Sequence, residues 1–117
     1  MRSYKKLRLW SKSDGIAKEI YRVSAKFPRS EMYGLTSQLR RAILSIPLNI
    51  VEGYARDSKK SFKNFLAIAY SSLIESEYLI EFAHELEYIR TDKYNKIIED
   101  LDELGRMIWA YRKKIGS

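Results

Sequence analysis

Phe27-Pro28-Arg29-Ser30-Glu31-Met32-Tyr33-Gly34-Leu35, continued through Gln38, Arg40-Arg41-Ala42, Ser45-Ile46 and Asn49-Ile50-Val51-Glu52-Gly53, is the stretch that decides the fold. At roughly 100° per residue, Leu35, Leu39, Ala42, Ile43, Ile46 and Ile50 fall within one arc of about 100°, the width that a helix buries against its neighbours. A second arc holds Leu44, Leu48, Val51 and Tyr54, and only a strip carrying Gln38, Arg41, Ser45, Asn49, Glu52 and Arg56 is consistently polar. A helix apolar on two faces has more than one core to serve. Its second face is expected to meet another subunit.

Working outward, Ile16, Ile20, Val23 and Phe27 recur at spacings of four, three and four, which predicts a helix capped by Ser11 or Ser13 and stopped by Pro28. Residues 1–11 read as a basic, partly extended N-terminal arm whose Leu7, Leu9 and Trp10 pack over the bundle end. Ser30 is the expected cap of the second helix, with Glu31 near its positive end. Pro47 removes a backbone hydrogen bond and is expected to bend that helix by crowding the carbonyl of Ile43, and Gly53 suits the left-handed residue after it unless the helix runs one turn further through Tyr54. Asp57 or Ser58 starts a third helix with Phe62, Phe65, Leu66, Ala69, Leu73, Ile80 and Ala83 on its core arc. Thr91 and Asp92 offer caps for a fourth, in which Ile97, Leu101, Leu104, Ile108 and Tyr111 repeat by four and three. The expected helices cover 12–27, 31–54, 58–89 and 92–114. Short loops make sequential helices antiparallel, so the chain is expected to be all-α, an up-down-up-down antiparallel four-helix bundle in a single domain over residues 1–117.

The run Phe27-Pro28, Glu31, Tyr33-Gly34-Leu35, Gln38, Arg40-Arg41-Ala42, followed by Ser45-Ile46, Asn49-Ile50 and Glu52-Gly53, resembles the bacterial family encoded in intervening sequences of 23S ribosomal RNA genes, also called four helix bundle proteins. Leu7-Arg8-Leu9-Trp10, Ile20-Tyr21, Phe62, Phe65-Leu66, Ile68-Ala69, Ser72-Leu73 and Glu75 extend it over most of the chain. Ser71 stands where the family usually has Gly, and Pro47 where a helix-compatible residue is more usual. The resemblance implies a helical bundle and no established reaction. Members are encoded within ribosomal RNA insertions, and structurally similar pentameric bundles assist reverse transcriptases of diversity-generating retroelements.

The chain has 117 residues, no cysteine and one histidine. It therefore has neither a disulfide framework nor a thiolate nucleophile, which fits a reducing compartment. The start of the chain lacks an apolar leader and no run of about 18 apolar residues occurs, so a cytoplasmic protein without membrane contact is expected. The net charge of +7 is unevenly spread: residues 1–60 hold 14 Lys or Arg against 5 acids, residues 61–117 hold 8 against 10. A basic excess favours phosphate backbones through counterion release, but a polarised subunit can equally bind its own copy.

Catalytic machinery is hard to compose. His84 stands three after Glu81, the spacing of a bundle metal motif, but a di-iron site needs that motif twice plus two further Glu. His84 reads as a surface or boundary residue, and neither a Ser-His-Asp nucleophile nor a Gly-rich phosphate loop is available. No catalytic residue, metal, cofactor or small-molecule substrate is expected. The strip of Gln38, Arg41, Ser45, Asn49 and Glu52 is either a solvated face or a structural polar network in which Asn49 and Glu52 serve backbone near Gly53 and Pro47.

Two classes of function stay open: a nucleic-acid-associated accessory protein, or a structural or protein-interaction module that happens to be basic. For RNA or another nucleic acid, Arg2, Lys5, Lys6, Arg8 and Lys12, with Arg40 and Arg41, are the candidate backbone contacts. For assembly, Leu44, Leu48 and Val51 form one leftover patch, and Tyr70, Ile74 and Tyr78, ringed by Glu77, Glu81 and Glu85, form another. Unlike surfaces that complement each other make a head-to-tail homo-oligomer; the resemblance suggests a ring of five.

Overall fold

The computed structural model describes residues 3–116. Among them the elements are a 3-10 turn at Ser3–Lys6, α1 at Arg8–Ser24, a second 3-10 turn at Arg29–Glu31, α2 at Leu35–Ala55, α3 at Lys59–Glu85 and α4 at Thr91–Ile115, with no strand. The four helices form an elongated bundle of 43 × 23 × 22 Å. Each helix packs on its neighbours around the ring, α1 on α2, α2 on α3, α3 on α4 and α4 back on α1, with α2 and α3 in the most extensive contact. Arg40 reaches Tyr21 and Ser24, Lys12 reaches Asp100 and Glu103, and Lys93 reaches Glu19, so chain direction alternates from helix to helix.

The stripe that decided the fold is the core. Leu39, Ile43, Ile46 and Ile50 are wholly inaccessible, as are Leu66, Ala69, Ile80, Leu101, Leu104 and Ile108 from the facing helices. Pro47 lies inside α2 and is buried, and the helix runs unbroken through it to Ala55.

The N-terminal arm differs from its expected form: residues 3–6 make a 3-10 turn and α1 begins at Arg8. Leu7 N–H donates to the Tyr4 carbonyl at 3.0 Å, and neither Ser11 nor Ser13 caps α1. The cause is burial: Leu9 extends the Ser13, Ile16, Ala17, Ile20 stripe by one turn, and Trp10 packs edge-on against Tyr4 at 5.1 Å. At its other end α1 stops at Ser24, and Phe27, expected in the helix, turns inward to pack against Tyr88.

Helix α2 starts four residues later than expected because the Pro28–Glu31 segment closes a 3-10 turn. Ser30 caps nothing. The Glu31 carboxylate takes that role, accepting from Leu35 N–H at 3.2 Å through one oxygen and from the Tyr88 hydroxyl at 3.0 Å through the other. A single side chain thus ties the start of α2 to the α3–α4 loop, and its bond raises the Tyr88 pKa. Gly53 is inside α2, not beyond it: a Cβ there would lie 2.8 Å from Phe62 Cδ1 and 2.8 Å from Phe65 Cβ, so the residue is small for close approach.

Ser58 caps α3 as expected, accepting from Ser61 N–H at 3.0 Å. At the far end Glu87 has φ 65°, with Tyr88 N–H donating to the Ala83 carbonyl and Glu87 N–H to that of His84, a Schellman closure that ends α3 before the expected residue 89. Thr91 and Asp92 do not cap α4, whose preceding Arg90 is extended. Thr91 instead holds His84 Nε2 at 3.1 Å, and the imidazole stacks on Tyr94 with ring centroids 4.1 Å apart. No helix of the described residues is long and apolar enough to cross a membrane.

Candidate nucleic-acid interface

Alternating chain direction puts four chain segments at one end of the bundle: the 3-10 turn with the start of α1, the end of α2, the start of α3 and the end of α4. The 3-10 turn packs on α1 and α2, and direct contacts join the other three. Lys63 Nζ donates to the Gly116 carbonyl at 3.5 Å, Arg112 Nε donates to the Lys63 carbonyl at 3.3 Å, and Phe62 packs between Tyr54 and Tyr111 at 6.1 and 5.6 Å. This pole gathers Lys5, Lys6, Arg8, Arg56, Lys59, Lys60, Lys63, Arg112, Lys113 and Lys114 around Glu52 and Asp57. Among the described residues, ten cations but only two acids lie there. All ten except Lys63 and Arg112 are exposed.

The opposite pole is balanced. There Arg22 and Lys93 pair with Glu19 at 3.2 and 2.9 Å, and Arg90 pairs with Asp92 at 3.2 Å, around a cleft of about 630 Å³. The electrostatic field of the protein is therefore directed along the bundle axis, with only Glu52 and Asp57 to offset the cations of the positive end. Of the exposed cations of the positive pole, Arg56 is the one with side-chain partners among the described residues, its guanidinium 4.9 Å from the centre of the Phe65 ring and 3.8 Å from Glu52.

Of the cations expected to touch phosphate, Lys5, Lys6 and Arg8 belong to this pole, and Arg2 lies outside the described residues. Lys12 does not belong: it bonds Glu103 at 2.9 Å and Asp100 at 3.4 Å, clamping α1 to α4. The Glu103 bond raises the Lys12 pKa and lowers that of Glu103. Arg40 is likewise committed, donating from Nε to Ser24 Oγ at 2.8 Å and from a terminal nitrogen to the Tyr21 carbonyl at 3.0 Å while lying 4.6 Å over the Tyr21 ring. Arg41 is exposed but sits on the outer face of α2, away from the pole. Sequence reading missed Arg56, Lys59, Lys60, Lys63 and Arg112–Lys114 as partners of the first residues. The signal was available once the bundle was drawn, since the basic last turn of α4 must end beside the first turn of α3.

The polar strip divides as well. Asn49 Nδ2 donates to the Ser45 carbonyl at 2.7 Å and to Ser45 Oγ at 2.9 Å, Ser72 Oγ donates to Ser45 Oγ at 2.9 Å, and Ser76 Oγ donates to the Ser72 carbonyl at 2.8 Å. The network exists between α2 and α3, but Gln38, Arg41 and Glu52 are exposed and stand outside it. Asn49 does not serve Gly53 or Pro47. Among the described residues no three His, Cys, Asp or Glu side chains come together as metal ligands.

Both leftover apolar faces are accessible. Leu44 and Leu48 are exposed and Val51 is half-buried; Ile74 and Tyr78 are exposed and Tyr70 is half-buried against Trp109. Ile68, Phe82 and Trp109 add to the exposed apolar surface. The face of α3 toward α4 is a groove floored by Leu73, Leu101 and Gly105, in which Glu77 stands opposite Asp102. Burial first, then the bond and charge of Asp102, push the Glu77 carboxyl up to about 7.

Residues 5–110 match the family described as 23S rRNA-intervening sequence protein. A crystal structure of a protein with unknown function from the S23 ribosomal protein family of Bacteroides thetaiotaomicron VPI-5482 is similar over 90% of this chain and 95% of that chain, with 27% identity and a TM-score of 0.83. No curated protein matches the chain.

Proposed function

Because the chain belongs to the 23S rRNA-intervening sequence protein family, we propose that it is a non-enzymatic accessory protein that assembles with copies of itself and holds nucleic acid by the phosphate backbone. The observation that carries the proposal is the basic pole, ten cations against two acids at one end of the bundle. Lysines without fixed partners neutralise phosphates and release counterions, which gives affinity without reading bases. The aromatic side chains at this end support that choice: Phe62 packs edge-on or tilted between Tyr54 and Tyr111, so the three rings engage one another and do not lie as one flat platform for splayed bases. Assembly would repeat the pole around an axis and turn weak contacts into avidity.

Exposed Leu44, Leu48, Ile74, Tyr78 and Trp109 support the self-association. The test is binding to a structured RNA across a salt series: retention at low salt and steep weakening as salt rises is the expected result. Absence of binding to structured RNA or DNA at low salt would leave a protein-interaction module.

A further inference from the structure

We propose that the outer ridge of α2 in one copy seats in the groove between α3 and α4 of the next, with Arg41 entering between Glu77 and Asp102; this rests on the self-association proposed above.

The ridge is Arg41, Leu44, Leu48 and Val51, at spacings of three, four and three, which place them in one stripe about 15 Å long. Arg41 is exposed and makes none of the ion pairs or side-chain hydrogen bonds among the described residues. Leu44 is 41% and Leu48 52% exposed, large values for leucines on a helix whose Leu35, Leu39, Ile43, Ile46 and Ile50 are buried. A soluble subunit gains by covering them.

The groove has matching length and opposite charge. Its two sections, of about 520 and 340 Å³, share Ile74, Glu77 and Asp102. Along α4 its wall reads Asp102, Gly105 and Trp109, spaced by three and four, the same intervals as Arg41, Leu44 and Leu48. With α2 of one copy parallel to α4 of the next, Arg41 meets Asp102, Leu44 lies over Gly105 and Leu48 meets Trp109. Gly105 has no side chain to fill the floor at the point where Leu44 arrives.

Electrostatics fix the register. Glu77 and Asp102 face each other with no cation paired to either among the described residues, and Glu81 and Tyr94 crowd the same groove. Arg106, on the same helix as Asp102, lines the neighbouring section without pairing to the two carboxyls. In the lone subunit the pair is relieved by a proton near neutral pH. A guanidinium offers a fork of donors that both carboxylates accept, and it replaces that proton. Association should therefore be tighter at pH 8 than at pH 6. Ridge and groove are different surfaces, so the contact is head-to-tail and every copy presents both halves.

Sedimentation at fixed concentration and pH 8 tests this on the wild type, Arg41→Glu, Asp102→Arg, the two combined, and Leu48→Asp, with helicity checked by circular dichroism. The wild type should assemble, each charge reversal should weaken association by roughly tenfold or more, and the combined variant should regain it. Single reversals that leave assembly unchanged, or a combined variant no better than either, overturn the Arg41 contact. If Leu48→Asp alone disrupts assembly, the ridge is used but the Arg41 contact is refuted. A wild type that stays a single subunit overturns the self-association itself.

Discussion

Three glycines lie inside helices, Gly15, Gly53 and Gly105, and the structure assigns the first two opposite signs on substitution by alanine. Gly15 is exposed in α1, and a Cβ there would meet nothing within 4 Å. Glycine inside an exposed helix costs about 0.8–1 kcal/mol relative to alanine, so Gly15→Ala should stabilise the protein by about that amount. Gly53 gains the same propensity term but loses more. Its Cβ would stand 2.8 Å from Phe65 Cβ, an atom fixed to the α3 backbone, and 2.8 Å from the ring of Phe62, which is itself held between Tyr54 and Tyr111. Ordinary contact needs roughly 3.5–4.0 Å, so α2 and α3 must separate by the better part of an ångström where they pack most closely. Overpacking of that kind costs about 1–3 kcal/mol, which outweighs the propensity gain and leaves Gly53→Ala destabilised by about 1 kcal/mol or more. Urea unfolding followed by circular dichroism at one protein concentration would show the two midpoints moving in opposite directions with unchanged slope. A Gly53→Ala protein as stable as Gly15→Ala would refute the close approach of α2 and α3.

Ile46→Ala and Leu73→Ala, both at core positions with essentially no exposure, should each cost about 2–5 kcal/mol in the same unfolding assay, and negligible loss at both would refute the helical wheel. Glu77 gives a pH dependence of known sign. Its folded pKa lies near 7, above its unfolded value, so its contribution is full below about pH 4.5 and is lost as pH rises through 7. Glu77→Gln should therefore raise subunit stability at pH 8, on the order of 1 kcal/mol once solvent screening at this half-exposed site is allowed for, and flatten the stability profile between pH 6 and 8. A profile unchanged by the substitution would sink that reading of the groove.

The bundle was legible in the sequence because its core stripes are long and regular: Leu35 to Ile50, Leu66 to Ala83 and Ile97 to Ile108 are buried where the period places them. Ser58 was legible as a cap because its partner, Ser61 N–H, is three residues away. Glu31 was not, since one of its two bonds goes to Tyr88, on the far side of two helices. The first turn of α1 was hidden by the basic composition around Leu9, where one buried leucine outweighs several exposed lysines. The candidate site was legible only in part for a similar reason. Lys5, Lys6 and Arg8 form a visible cluster, but the pole they complete is assembled from residues up to 114, and helix direction, not sequence proximity, brings it together. Lys12, Arg40 and Arg41 looked equivalent to the pole cations as letters. They differ by what faces them: Asp100 and Glu103, Ser24 and Tyr21, and solvent.

The basic pole is tested most directly by the salt dependence of RNA binding in two charge-matched variants. One reverses Lys59, Lys60 and Lys113 to Glu at the pole; the other reverses Arg22, Lys26 and Arg90 to Glu at the opposite end, giving the same net charge. Each phosphate contact contributes about 0.7–0.9 to the logarithmic salt slope. If the pole carries the contact, the first variant should flatten the slope by about two to three while the second leaves it close to wild type. Equal slopes in the two variants would contradict a site at the pole and reduce the binding to net charge alone.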